Sequence, residues 1–410
     1  LQRILIVKLG DLGDLLLVSP ALAALHEAHP TARLDLLVPP RSVEVARHIP
    51  QVDEVIAIAA FDRPRDLLQP GKWLAQWGFS RQLRRNHYDA VLIMQHMTTV
   101  LGAAKFALLT LAAGVKVRAG LDNGRGWFLN RRVRNRGYGA QHEADYWLAV
   151  AALVGADPRP RPSGLLVAAA DDSQAALLLA PLADHRPRVA MHLGTGAYAP
   201  ARRWPLASFI ELAQRLQAEG AAIILVGGAD VREFARQLVS ALAANGAGRL
   251  LNLVEQTTVS ELAAVLRHCD LYVGSDSGPL HVAATAGVAV LGIYGPSNER
   301  AWGPYAGGTA VQFDALTGTA DDWRAMYSGG NAVIRQSLAC SPCLYREWVV
   351  GLRDGCPDRE CLTTLEPVAV HAAARLLLAK VGHTSESSLP RPYHTFCDRH
   401  CSNCNRVSTF

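Results

Sequence analysis

The stretch Tyr272-Val-Gly-Ser-Asp-Ser-Gly-Pro-Leu-His281 decides the fold. Its apolar start reads as the end of a buried parallel strand, its small residues as a tight loop, and Gly278 as the opening of an Ala-rich helix. A further apolar run, Val288 to Tyr294, follows at once. Strand, loop, helix, strand is the unit of a parallel sheet covered by helices on both faces. The loop also carries a chemical message. Amides left unpaired at a helix start, helped by the helix dipole, attract phosphate or pyrophosphate, and Gly278 beside Ser277 allows close backbone approach. His281, in the first helical turn, either donates to such a phosphate or packs. Gly295-Pro296-Ser297-Asn298 supplies another turn after the next strand.

The same alternation extends on both sides. Val189 to Leu193, Ala222 to Val226, Leu250 to Leu253 and Leu271 to Val273 read as strands, with helices over Pro205 to Glu219 and Val231 to Leu242, and a closing helix over Glu366 to Val381. Upstream, Arg3 to Val7, Arg33 to Val38, Val52 to Ala59 and Tyr88 to Met94 read as strands of an earlier sheet, with a helix from Leu15 to His29 that has Pro20 in its first turn or at a kink. A Pro- and Arg-rich connection runs from Gly155 to Gly164. The expectation is two doubly wound α/β domains, residues 1–170 and 171–381, facing a cleft into which the strand ends project ligands, followed by a polar tail over 382–410.

Length and composition agree. The chain has 410 residues, 50% hydrophobic and 19% charged, enough for two sizeable cores and incompatible with a disordered protein. No window approaches the roughly 18 uninterrupted apolar residues of a membrane span. Lys8, Asp11 and Asp14 interrupt any signal-peptide core, so a soluble, cytoplasmic protein is expected. The net charge of +5 hides an asymmetry: between Arg63 and Arg136 lie 14 Lys and Arg against three acids. Such a region suits an anionic partner, or else solvated helix faces.

Two more loops carry candidate chemistry. Gly10-Asp11-Leu12-Gly13-Asp14 lacks the spacing of a dinucleotide fingerprint, and no P-loop occurs anywhere. It sets the carboxylate of Asp14 between a strand end and a helix start, as a helix cap, a catalytic group or both. His192-Leu-Gly-Thr195-Gly leads to Arg202-Arg203-Trp204-Pro205, where either Arg can neutralise a diphosphate or lie exposed. Asp171-Asp172 and Asp321-Asp322 read as solvated pairs, not as a metal–nucleotide motif. Among the cysteines, Cys340-x2-Cys343 with Cys356-x4-Cys361 has the two-pair spacing of a metal site, and Cys397-x3-Cys401-x2-Cys404, with iron–sulfur spacing, reads as a redox cluster, as a metal clip with His394 or His400, or as a reduced tail.

Taken in order, several segments resemble glycosyltransferase family 9, the ADP-heptose:lipopolysaccharide heptosyltransferases. They are Ile-Leu-Ile-Val-Lys8 with Gly13-Asp14 and Pro20-Ala-Leu22, the Tyr88-Asp89 strand, Arg202-Arg203-Trp204-Pro205, Gly227-Gly228, Asp276-Ser277-Gly278-Pro279 with His281, and Gly295-Pro296 with Trp302-Gly-Pro-Tyr305. The resemblance covers nearly everything from Arg3 to Val381. It implies a GT-B fold of two Rossmann-like domains, acceptor bound by the first and nucleotide-sugar by the second, and inversion without a catalytic metal. It implies Asp14 as general base, and Asp276, Ser277, Gly278, Pro279 and Leu280 as the loop gripping diphosphate and sugar. Arg202 stands where the family usually has Lys, and Glu233 falls near an acid that helps hold the nucleotide. Thr195 and His281 complete the donor set.

On this reading Arg81, Arg84, Arg85, Arg131, Arg132 and Arg134 are candidate contacts of an anionic glycolipid acceptor such as lipopolysaccharide inner core, with peripheral membrane contact at the inner face of the inner membrane and no nucleic acid partner. The cysteine cluster Cys340, Cys343, Cys356 and Cys361 recurs in the family and implies a structural Zn or Fe. Alternatives within the same fold are protein O-heptosylation, as in the autotransporter-modifying subgroup, and nucleotide-sugar epimerisation or hydrolysis.

Overall fold

The computed structural model describes residues 1–58, 79, 81–196, 198–243, 249–308, 310–315, 330–384 and 407–409. The chain divides into two compact units: Leu1–Gly137, Glu143–Pro160 and Tyr393–Phe410 in the first, and Tyr138–His142 with Arg161–Pro392 in the second. Asp321-Asp322 and Cys397, Cys401 and Cys404 lie outside the described residues.

The first unit holds β1 (Arg3–Val7), β2 (Arg33–Val38), β3 (Glu54–Ala57), β4 (Ala90–Ile93), β5 (Val117–Asp122) and β6 (Arg131–Arg134). The second holds β7 (Arg188–His192), β8 (Ala222–Leu225), β9 (Leu250–Asn252), β10 (Leu271–Ser275), β11 (Ala289–Ile293), β12 (Val311–Asp314) and β13 (Ala332–Arg335). A last strand, β14 (Val407–Thr409), pairs with β3 and returns to the first sheet. All pairs are parallel, in the orders β14-β3-β2-β1-β4-β5-β6 and β12-β13-β11-β10-β7-β8-β9.

Both sheets run outward from their first strand and then reverse, at β1 and β4 in one and at β7 and β10 in the other. That is the doubly wound arrangement, and the reversal is where ligands enter such sheets. The central strands are apolar because helices cover both faces: Ile4 to Val7, Val189 to Met191 and Leu271 to Val273 are fully buried. Beneath the first sheet Leu5, Val7, Val91 and Ile93 pack with Phe106 and Phe128, and in the second Val189, Leu225 and Leu291 pack with Phe209, Trp204 and Leu377.

Most strands and helices fall within a few residues of the sequence expectation. Several others differ. The first helix runs Leu12–Ala28, three residues earlier than expected, because Asp11 caps it and the small Gly13 is tolerated inside; Pro20 sits mid-helix, buried. β5, β6, β12, β13 and β14 lie outside the strands expected from the sequence; β6 reads Arg-Arg-Val-Arg, and its exposed edge carries no apolar signal.

Candidate active site

In the first unit the reversal point is organised around Lys8. It follows β1 directly, and its side chain is 2% exposed although it carries a charge. Two groups make that burial tolerable. Its Nζ lies 3.0 Å from Asp14 Oδ1 and 4.4 Å from the centroid of the Trp147 ring. Trp147 comes from the helix Glu143–Ala152, which packs on Leu12–Ala28. The other carboxylate oxygen of Asp14 accepts from the Asp11 backbone amide at 3.2 Å. Asp14 is thus a first-turn acid facing back over the helix start, not the cap itself, and its side chain keeps 32% of its surface. Gly10 makes room for it, since a Cβ there would stand 2.5 Å from Asp14 Cβ.

Behind this pair, just beyond β4, a second polar group is buried. His96 Nε2 is 2.7 Å from Glu143 Oε1, and Asn135 Nδ2 is 2.9 Å from His96 Nδ1, with Tyr146 and Trp147 edge-on to the imidazole. Sequence reasoning passed over Lys8, Trp147, His96, Glu143 and Asn135 as functional residues. The one local signal was a lysine ending an otherwise apolar buried strand.

The expected acceptor-side arginines are surface residues. Arg81, Arg84 and Arg85 lie exposed at helical positions 81–85, and Arg131, Arg132 and Arg134 line the edge strand β6. Arg131 donates to the Leu153 carbonyl at 2.6 Å, and Arg132 reaches Asp122 at 3.2 Å, so both are partly engaged within the protein.

In the second unit the residues expected around the donor converge at the reversal between β7 and β10. Arg202 Nη1 donates to Asp276 Oδ2 at 3.0 Å, and Nη2 donates to the Thr195 carbonyl at 3.0 Å. The pair is nearly buried, 13% and 6% exposed. Burial works against the Arg202 charge, but Asp276 outweighs it and holds the guanidinium above its ordinary pKa. The loop's own residues leave Arg202 and Arg203 equivalent, and the resemblance singles out Arg202; the fold separates them. Trp204, fully buried, fixes the turn by donating its amide to Ser275 Oγ and its indole N–H to the Leu365 carbonyl, while Arg203 stacks 4.4 Å over Phe234.

At the helix Gly278–Ala286, Ser277 makes no side-chain cap and instead donates to the Ser275 carbonyl at 3.0 Å. Its first-turn amides therefore lack the usual hydroxyl cap. Gly278 and Pro279 are half-buried at this end, whereas Leu280 is fully buried against Gly292 and its amide donates to the Ser277 carbonyl at 3.2 Å. His281 is buried as well, behind the loop. Glu233 stands apart: it faces solvent, accepts from Arg236 and Gln237, and is held down to about 2 by those hydrogen bonds.

The cysteine-bearing loop contributes something the sequence did not signal. Tyr345, with a left-handed φ of 58°, lies tilted against the Trp302 ring at 4.3 Å and edge-on to Tyr138 at 5.4 Å, and its carbonyl accepts from Asn298. It lies near enough to Arg202 and Asp276 to feel both charges. The expected metal cluster is not formed. Cys340, Cys343 and Cys356 lie exposed, whereas Cys361 is drawn into the core beside Leu362 and Leu365. Burial, and then the neighbouring thiols, push Cys361 up to about 11 and Cys343 also upward. Among the described residues no three His, Cys, Asp or Glu side chains are grouped to hold a metal ion, so the thiols are neighbours without being a ligand set.

Comparison with known proteins bears on this geometry. A family model described as Glycosyltransferase family 9 (heptosyltransferase) matches residues 76–315. Lipopolysaccharide heptosyltransferase 2 of Escherichia coli is 25% identical over 305 residues, covering 72% of this chain and 84% of that protein. The structure of E. coli ADP-heptose lps heptosyltransferase II superposes with a TM-score of 0.66 at 22% identity, over 92% of this chain and 99% of that one. An E. coli heptosyltransferase with ADP-2-deoxy-2-fluoro heptose gives 0.61 at 22% identity, over 92% and 99%. The two parallel α/β sheets share the GT-B fold of these structures.

Proposed function

The chain belongs to glycosyltransferase family 9, and from that premise we propose that it is an inverting heptosyltransferase, moving heptose from ADP-heptose to an anionic lipopolysaccharide inner-core acceptor. The names of its relatives support the donor and acceptor classes. The observation that carries the reading is Asp14, a partly exposed carboxylate whose inner oxygen is fixed by a buried lysine.

A sugar hydroxyl is a weak nucleophile at neutral pH, so a positioned base must take its proton as the new bond forms. In the proposed reaction the acceptor oxygen attacks the anomeric carbon on the face opposite the diphosphate. The anomeric carbon–oxygen bond breaks as ADP leaves, and the acceptor proton passes to Asp14. The first unit binds the acceptor, with Arg81, Arg84, Arg85, Arg131, Arg132 and Arg134 meeting its phosphates and carboxylates. The second unit binds the donor. Charge growing on the leaving diphosphate is met by the amides at Ser277 and Gly278 and by Arg202, which makes a metal unnecessary for that step. Thr195, Asp276, Pro279 and Leu280 shape the cradle through backbone and charge. Glu233 and His281 have the weaker claims, one for its distance from this group and the other for its burial.

The test is mass-spectrometric product analysis with a panel of nucleotide-sugars and deacylated inner-core acceptor. One heptose added to the acceptor, only from ADP-heptose, is expected. Donor turnover at one rate with and without acceptor would instead indicate an epimerase or hydrolase.

A further inference from the structure

The helix Val100–Ala112 is apolar apart from Lys105 and Thr110, yet it is not enclosed. Its inner side, Ala103, Phe106, Ala107 and Leu109, packs into the core of the first unit with Phe128 and Leu129. Its outer side keeps Val100, Leu101, Leu108 and Leu111 between 49% and 71% exposed, with Ala104 exposed among them. At 3.6 residues per turn these five side chains fall within an arc of about 100°, one continuous stripe. Of the thirteen large hydrophobic side chains exposed on the described surface, four belong to this one helix. Scattered apolar residues need no explanation, but a stripe of this kind does.

Length excludes one occupant. Thirteen residues rise about 20 Å, too short for a hydrocarbon core of about 30 Å, though suited to lying within a bilayer interface. Charge selects the kind of interface. The helix has no acid, and its one charged residue is Lys105. Arg84 lies at its C-terminal end, with Nε 3.5 Å from the position of a Cβ on Gly114, and exposed Lys116 follows two residues later. At its N-terminal end Arg125 donates to the Met97 carbonyl at 3.4 Å. An apolar stripe with cations at both ends complements a surface that presents acyl chains below and negative headgroups above.

We propose that the outer face of Val100–Ala112 is a membrane-docking surface for an anionic bilayer, inserting Val100, Leu101, Leu108 and Leu111 below the headgroups while Lys116 and Arg125 contact lipid phosphates. The inference does not depend on the transfer chemistry, and its test needs no turnover.

Flotation of the full chain with vesicles of phosphatidylethanolamine and phosphatidylglycerol, and with phosphatidylcholine vesicles alone, measures it. Binding is expected to the anionic vesicles, weakened by salt and far lower on phosphatidylcholine. Each buried leucine is worth roughly tenfold in partitioning, so Leu108→Glu with Leu111→Glu should lower binding at least about tenfold while circular dichroism and the melting temperature hold. The milder pair Val100→Ser and Leu111→Ser, whose sites are open to solvent, serves if the first loses its fold. Unchanged binding in these variants overturns the proposal. So does wild-type protein that self-associates without lipid and becomes monomeric in the variant, because the stripe then belongs to a second copy of the chain.

Discussion

Each unit holds a carboxylate paired with a cation at the reversal point of its sheet, and the two pairs distribute burial in opposite ways. In the first unit the cation is the hidden partner, with Lys8 closed under Trp147 while Asp14 keeps a third of its surface. In the second unit both partners are hidden, and Arg202 spends its guanidinium on Asp276 and the Thr195 carbonyl. An exposed acid against a fixed buried charge can exchange a proton without disturbing the core. A buried acid clamped by a guanidinium cannot do so without leaving a bare charge behind. The same ingredients therefore suit a proton-accepting group in one place and a fixed positive charge for the donor's diphosphate in the other.

The sharpest break of this comparison is Asp14→Asn. The amide keeps the shape and loses the basicity, so transfer should fall by about 10²- to 10⁴-fold while ADP binding, measured by calorimetry, stays as in the wild type. Comparable loss of ADP binding would show that the two pairs do not divide the work. Next, Arg202→Met should lower stability by about 3–5 kcal/mol in urea unfolding, because it strands Asp276. Arg202→Lys should recover part of that loss but not the second contact to Thr195. A smaller effect is expected from Lys8→Met, which removes the charge behind the base. A carboxylate without its neighbouring cation holds its proton to higher pH, so the acidic limb of the rate profile should move upward. A merely structural role for Lys8 would change stability and leave that limb in place.

The smallest effect concerns Glu233. Its folded pKa is depressed from 4.5 to about 2, so its contribution to stability is present above about pH 4.5 and lost as pH falls toward 2. Glu233→Gln should flatten that acid limb of the melting temperature slightly and leave activity within about twofold, since the side chain is exposed and its partners lie on its own helix.

Much of this fold could be read from the chain because buried parallel strands are written as local apolar runs. Arg3 to Val7, Arg33 to Val38 and the strands around Tyr272 needed no distant information. The donor loop was legible for the same reason, since Asp276 to Gly278 sit between a strand and a helix that announce themselves. β6 was not legible, because an edge strand of arginines has the composition of a loop. The partners of Asp14 were half legible. Lys8 lies six residues before it, but Trp147, the ring that makes a buried lysine tolerable, comes from a helix far along the chain. The cysteines show the opposite failure. Their spacing suggested a closed cluster, and the pull of the core on Cys361 outweighed it.

Tyr138–His142 leaves the first unit for five residues, seats itself in the second, and returns before the helix carrying Trp147. There His142 Nε2 meets the Gly303 carbonyl at 3.0 Å, 161 positions later in the chain, and its ring stacks on Tyr305. On a translating ribosome that pentapeptide emerges long before anything exists to receive it. The nascent first half must close around the gap and hold it as an open loop, so its final maturation waits on synthesis of the second.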